Sequence, residues 1–521
     1  MPSESLLIIN GRSLQAMQVA NEYASLRHFP AERILVLHPE LSFFRKVDGS
    51  PKWTVSQEQA QEELLAPVLE KISSLNDASP TTLILSPEWP TRIKVANSPE
   101  VSLTAFLSCS GELPTGELVK TGQAISPWFV APPDTPQKSG RLLRYPINRR
   151  IDPPFYPAAM LSVYYPPLTT QKILSHLRRS VKADFSQPEG TVIFVTNEDI
   201  RTKTRLWQYH NAKSRLDDKN IPVEMISSVT KPPSRILGIM AGTANLNTKR
   251  YASGLVPGAF ADHLTSFAAN FDTSDQTKLT QWLDAGAAAS LGTVTEPYTI
   301  WTKFPEAAFF ERYLRGNTLL EAMMQSLASP YQSLLVGDPL CRPWAAELEN
   351  LELKTSWTGT TMTIQAIGVP KGSATSMHLF VDGVRVKGDG PQWTLEVDPE
   401  SYGPEMDIIL HARYLWAPPE VGSLQQRVTT PSTSELQLRG NEKSDHVSLK
   451  LKSKAPLMMI EIYRGNEIVY TASVSGKKPE FLLRLDQSGT GPVSLRARAV
   501  TQTGDFIWSN YLDLEPKPPK Y

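Results

Sequence analysis

Cysteine is nearly missing from this chain: among 521 residues there are two, Cys109 and Cys341. Two thiols so far apart exclude a disulfide framework and leave room for one bridge at most. Charge of one sign is missing as well, since Lys+Arg and Asp+Glu each total 53. Without a basic excess, nucleic acid is not expected as a partner, and neither is an anionic membrane surface. The Trp residues are scattered and form no stacking platform for single strands. No run approaches the about 18 apolar residues of a membrane-spanning helix, so membrane insertion is not expected. The opening MPSESLLIINGRS has no positive n-region and too short an apolar run for a signal peptide, although a removed leader would leave the same picture. Neither GxxxxGKS/T nor a GxGxxG opening a helix after a strand occurs, and no cofactor is expected.

What the chain has in quantity is length and proline. A chain of 521 residues exceeds one core, and its 43 prolines suit ordered loops and β-domains better than a helical bundle. LLIIN (6–10), RILVL (33–37) and TLILS (82–86) alternate with helical stripes at 14–23 and 56–75, Ser56 serving as an N-cap. Strand–helix–strand spacing of this kind implies a parallel sheet with right-handed crossovers. The proline-dense stretch 87–167 shows only scraps of periodicity. From 168 to 346 the α/β pattern returns more strongly, with strands TVIFVT, IPVEMI, ILGIM, AAASLGTV and SLLVG. The phrase GLVPG reads as a strand element ending at glycine, and FADHLTSFAANF as the helix after it. Beyond 346 short alternating runs take over. LFVDGVRV and IEIYRGNEIVY read as two-residue hairpins, and two β-sandwich modules are expected at 349–435 and 436–517. The expected organisation is a first α/β subdomain (1–167), a second (168–346) and these two all-β, immunoglobulin-like sandwiches.

In open α/β sheets chemistry gathers at the carboxyl ends of strands. On the expected helix 260–271, Phe260, Leu264 and Phe267 take the apolar face and leave Asp262, His263 and Ser266 on the polar side. His263 and Ser266 are thus a candidate base and nucleophile, and the bland reading is a capped helix whose histidine bonds a loop. Glu296, ending GTVTEP, is placed to meet a ligand or to join an ion pair. Asp338, in the Gly-Asp-Pro turn, is a ligand candidate or bonds its own backbone. Asp199 and Arg201, with Asn197, Glu198, Lys203 and Arg205 around them, offer an anion cradle or an ordinary solvated helix start. A metal held by Asp262, His263 and Glu296 is disfavoured, since adjacent residues rarely chelate together and HExxH-type spacing is missing.

Several phrases, among them NEDIRTKTR, LVPGAFADHLTSF, GAAASLGTVTEPYTIWTKFPE, RGNTLLEAMMQS and SLLVGDPLCRPW, resemble a bacterial family that accompanies exosortase-type protein sorting. The likeness spans roughly 5–345. Two α/β halves followed by immunoglobulin-like modules also resemble the gingipain branch of caspase-like cysteine peptidases. That branch carries a Gly-His-Gly turn after one strand, a Cys after the next, and a closing Gly-Asp-Pro turn. Aligned on this layout, Thr243 stands where the His belongs, Ala259 where the Cys belongs, and Gly337-Asp338-Pro339 matches the closing turn. The resemblance therefore implies a caspase-like scaffold without its dyad, at the cell envelope or beyond it, binding an envelope protein or glycan. Two rival expectations stand beside it: a hydrolase, such as a peptidase, using Asp262, His263 and Glu296, and an adhesion or carbohydrate-binding protein acting through its β-modules. An exposed strand edge on either sandwich would offer an assembly surface, but the sequence leaves the oligomeric state open.

Overall fold

The computed structural model describes residues 1–75, 80–132, 155–370, 376–388, 390–414, 418–442, 446–484 and 490–517. Two compact units are present: one holds Glu4–Ile8 and Leu37–Ala345, the other Met1–Ser3, Ile9–Val36 and Ala346–Tyr521. The boundaries expected at 167/168 and 435/436 fall inside these units.

The first unit is a mixed α/β structure around one large sheet. Nine of its ten strands are β1 (Ser5–Asn10), β2 (Thr82–Leu85), β3 (Ala158–Met160), β4 (Thr191–Thr196), β5 (Val223–Ser227), β6 (Ile236–Gly242), β7 (Leu255–Leu264), β8 (Ala289–Thr293) and β9 (Ser333–Gly337). In space they run β1-β2-β3-β9-β8-β7-β6-β4-β5. Pairing is parallel throughout this run except between β8 and β9, where Ala289 lies opposite Gly337. Two parallel blocks thus meet back to front, and the turn after β9 lies at the opposite end of the sheet from the turns after β6, β7 and β8. β6 and β9 are buried along their whole length, as strands covered on both faces must be. The helices have legible starts. Thr169 caps Thr170–Ala183, and Ser56 and Thr318 each complete a capping box, with Gln59 and Glu321.

The segment 254–267 departs from expectation. Instead of a short strand and a helix, β7 is one strand of ten residues running from Leu255 through Asp262 and His263 to Leu264. Gly258, at φ +85°, does not end it but forms a bulge: Ile236 pairs with Leu255, whereas Gly238 already pairs with Phe260. The apolar spacing at 260, 264 and 267 misleads because a strand buried on both faces loses its alternation. Within the proline-dense stretch, strands Arg92–Lys94 and Val101–Ser102 and helices Leu103–Ser108 and Gly116–Thr121 are present, while 133–154 lie outside the described residues.

In the second unit the antiparallel strands are β10 (Glu352–Thr358), β11 (Thr361–Ile367), β12 (Ser376–Val381), β13 (Val384–Val386), β14 (Gln392–Glu396), β15 (Glu405–Tyr414) and β16 (Glu420–Thr429). They are followed by β17 (Gln437–Glu442), β18 (His446–Lys452), β19 (Leu457–Arg464), β20 (Glu467–Gly476), β21 (Glu480–Arg484), β22 (Val493–Thr501) and β23 (Phe506–Leu514). The sheets β16-β15-β12-β13 and β10-β11-β14 enclose a core with Trp393, Met406 and Leu410. The sheets β20-β19-β22-β23 and β17-β18-β21 enclose another with Ile460, Leu483 and Leu495. Asp382 and Gly383, both at positive φ, turn the β12–β13 hairpin.

Candidate functional site

β6, β7 and β8 end side by side, and the turns beyond them form a crest. Gly242 pairs with Leu264, so the next residues, Thr243 and Thr265, leave the sheet as neighbours. Thr243 Oγ1 donates to the Asn245 carbonyl at 3.3 Å. Ser266, half-buried, donates its Oγ to Glu296 Oε1 at 3.0 Å. The same oxygen accepts the Tyr298 N–H at 2.8 Å. Thr293, the last residue of β8, donates to the Ser266 carbonyl at 2.9 Å and so ties the two turns together. Asn197 Nδ2 donates to the Gly242 carbonyl at 3.1 Å, which brings the 197–201 segment to the same end. There Asp199 caps the short helix Ile200–Lys203. Its Oδ1 accepts the Arg201 N–H at 3.0 Å and the Arg201 guanidinium at 3.2 Å, so the expected anion cradle has its cation already paired.

Asp262 and His263 sit just inside the crest, within β7 rather than on a helix. Both ring nitrogens of His263 are engaged, and Asp262 is held through Oδ2 while its Oδ1 is buried without a hydrogen-bond partner among the described residues. Asp262 is 0 % exposed and meets the equally buried Arg205 at 2.5 Å. Arg205 also donates to the carbonyls of Ala241 and Pro305, at 3.3 and 3.1 Å. Burial pushes the Asp262 carboxyl up from its ordinary value, and Arg205 pulls it back. His263 accepts the Trp282 indole N–H on Nδ1 at 3.0 Å, and its Nε2 lies 3.0 Å from the Thr277 carbonyl. Only a neutral ring with its proton on Nε2 satisfies both contacts. Burial accordingly lowers its pKa to about 4.

The remaining candidates lie elsewhere. Ala259 is buried within β7, and its carbonyl accepts the Ala288 N–H at 2.7 Å, at the end of the sheet away from Thr243. The residues that follow β7 are Thr265 and Ser266, so Ala259 does not stand in a turn after a strand as expected: the strand bulges at Gly258 and continues to Leu264. Asp338 is likewise at the far end, its N–H bonded to the Ala288 carbonyl and its Oδ1 accepting the Leu340 N–H at 3.1 Å. Neither cysteine forms a disulfide among the described residues, and both are buried. Burial pushes the Cys109 thiol up to about 12 against a bond from Tyr331, and Cys341 Sγ lies 3.4 Å from the Ser180 carbonyl.

Two lysines near the crest escaped the sequence reading. Burial lowers both Lys278 and Lys303 to about 8. Lys278 Nζ donates to the carbonyls of Phe267 and Asp275, each at 2.8 Å, and Lys303 Nζ to that of Lys120 at 2.7 Å. No motif marks them, because their partners are backbone oxygens, which any residue type supplies. Among the described residues no group of three or more His, Cys, Asp or Glu is placed to hold a metal, and no helix is long and apolar enough to cross a membrane.

No protein-family profile matches the chain, and no curated protein matches it either. Among solved structures, the Arg-specific cysteine proteinase gingipain R is similar over 82 % of this chain and 98 % of its own, at 10 % identity and a TM-score of 0.43. The complex of the Porphyromonas gingivalis RgpB pro- and mature domains is similar over 82 % and 99 %, at 8 % identity and a TM-score of 0.46. The fibronectin(III)-like modules of Clostridium thermocellum CbhA match 16 % of this chain and 99 % of theirs, at 18 % identity and a TM-score of 0.14.

Proposed function

We propose that this protein is a non-catalytic, caspase-like component of the bacterial cell envelope, using the crest of its α/β unit to bind or assemble with a partner. The observation that carries the reading is His263. It is the imidazole nearest the crest in sequence, yet neither ring nitrogen is free and its proton affinity is depressed. An imidazole that serves as the general base for a serine or thiol must take a proton near neutral pH, and this one does not. Asp262 is committed to Arg205, both thiols are buried, and the paired strand ends carry the hydroxyls of Thr243, Thr265 and Ser266. The envelope setting rests on the sequence resemblance. The test has two parts. Purified full chain, His263→Ala and Ser266→Ala are screened on peptide and ester substrates, with no turnover expected from any of them. Turnover by the wild type that Ser266→Ala abolishes would instead establish a hydrolase working through the Ser266–Glu296 pair. Affinity purification from the envelope fraction of the native cell is expected to recover a protein or glycan that Thr243→Arg, a bulky change at the crest, releases.

A second reading has its own observation. The β-module unit holds a cleft of about 950 Å³ lined by Asp382, Asp407, Arg427, Tyr511 and Asp513 among others. Clefts with convergent polar groups are where ligands bind, and this one suits the adhesion or glycan-binding role. Glycan binding that survives Thr243→Arg but fails with Tyr511→Ala assigns the function to the modules.

A further inference from the structure

The second β-module leaves one long strand edge open. β20 is the outermost strand of its sheet, and its only ladder among the described residues is with β19. Its ten residues, EIVYTASVSG, include one charge, Glu467, and no proline or lysine. Exposed backbone edges of this length recruit another strand unless they are blunted. The two ladder irregularities fall at Leu457/Met459 and Ile462/Tyr463, leaving Tyr470–Ser473 in regular register between them.

Other edges in the same unit show the blunting that β20 lacks. In the first module the matching edge strand, β13, has three residues. It carries Arg385, whose N–H is taken by the Glu32 carboxylate at 2.7 Å, and Lys387 follows it. At the opposite edge of the β20 sheet, β23 is covered: Leu436 bridges to Ser509, and the Leu438 N–H donates to Asn510 Oδ1 at 2.8 Å.

We propose that β20 pairs antiparallel with β20 of a second copy of this chain, joining two modules into one continuous sheet about a two-fold axis. The sequence of the strand fits itself. Pairing centred on Ala472 sets Thr471 opposite Ser473 and places Glu467 of each copy opposite Lys477 of the other. An uncharged ladder is thereby flanked by two opposite-charge pairs, and Ile468, 48 % exposed, gains cover. Glu467 already meets Arg464 of its own hairpin, which leaves its second carboxylate oxygen for the lysine.

The experiment is sedimentation velocity on the full chain across a wide concentration range. Wild type is expected to dimerise. Glu467→Lys, which sets like charges opposite at both ends, is expected to weaken the dimer by about tenfold or more. Glu467→Lys combined with Lys477→Glu is expected to restore it, an outcome that a merely damaged hairpin would not give. Hydrogen exchange at Tyr470–Ser473 is expected to slow with concentration in the wild type and the double variant alone. A wild type that stays monomeric, a dimer indifferent to Glu467→Lys, or a double variant that remains dissociated would each overturn the proposal.

Discussion

Arg205 and Asp262 are both withdrawn from water, so each depends on the other for its charge to be tolerated. Removing one partner of such a pair leaves an uncompensated buried charge, whereas removing both is far milder. Arg205→Met is therefore expected to cost about 3–5 kcal/mol in chemical denaturation, and Arg205→Met with Asp262→Leu to recover most of it. His263 makes a second prediction, whose sign follows from its lowered pKa. The unfolded chain binds a proton near the ordinary histidine value of about 6.5. The folded state does so only near 4. The unfolded state holds more protons between these values, so stability is lost as pH falls from about 6.5 to about 4. His263→Gln should destabilise at pH 7 through its lost bonds, by about 2–3 kcal/mol. The gap to wild type should narrow in acid, as read from urea unfolding at both pH values. The sequence placed Glu296 at a strand end and His263 just after one, and both do lie beside the crest. What it could not convey was that Thr277 and, on the helix Thr280–Ala285, Trp282 occupy the histidine ring.

Among the elements, those with local signals were legible and those without were not. A capping residue marked the helix after Ser56, and Asp382-Gly383 marked its hairpin, because these signals lie within a few residues of the feature they set. β7 was misread because burial on both faces erased its alternation and because Gly258 looked like punctuation. That glycine is where the strand bulges, and a Cβ there would come within 2.2 Å of Pro343 Cγ, in a backbone region side chains rarely adopt. Gly258→Ala is expected to cost the α/β unit at least about 1–3 kcal/mol, the strain of a non-glycine residue held at positive φ. Thermal unfolding should show that unit's transition lowered and the β-module transition unmoved. An α/β transition left unmoved by Gly258→Ala would mean that the backbone at this bulge does not require glycine.

On the scale of the whole molecule, the change of composition at 346 was visible in the sequence, but the company kept by the N-terminal helix Leu14–Arg27 was not. Its contacts are with residues hundreds of positions away: Thr490 accepts from Asn21 at 2.8 Å and donates to the Leu14 carbonyl at 2.9 Å, and His28 lies 3.1 Å from Ser423. The two β-modules are joined in the same long-range manner. Asp382 of the first meets Arg496 and Tyr511 of the second at 2.8 Å each, and Arg427 grips Asp513 at 2.7 and 3.1 Å. Asp407 lies among them, its carboxylate held by Gln425 at 3.1 and 2.9 Å and its N–H by Asp382. Burial raises Asp407 to about 6, Arg427 and Gln425 oppose the rise, and the carboxylates of Asp382 and Asp513 add to it. The folded state therefore binds more protons than the unfolded one between about 4 and about 6, and stability falls as pH rises through that window. Asp513 acts outside it: burial would raise its pKa, but Arg427 and Ser494 hold it below the ordinary value, so its contribution is lost only in stronger acid. Urea unfolding of the β-module unit is thus expected to weaken by about 1–2 kcal/mol from pH 4 to pH 6 and then level off. Asp407→Asn keeps the shape and the bond to Gln425 but not the charge. It should flatten the profile and match or exceed wild type above pH 6, whereas an unchanged slope would mean that the modules are joined without strain at Asp407.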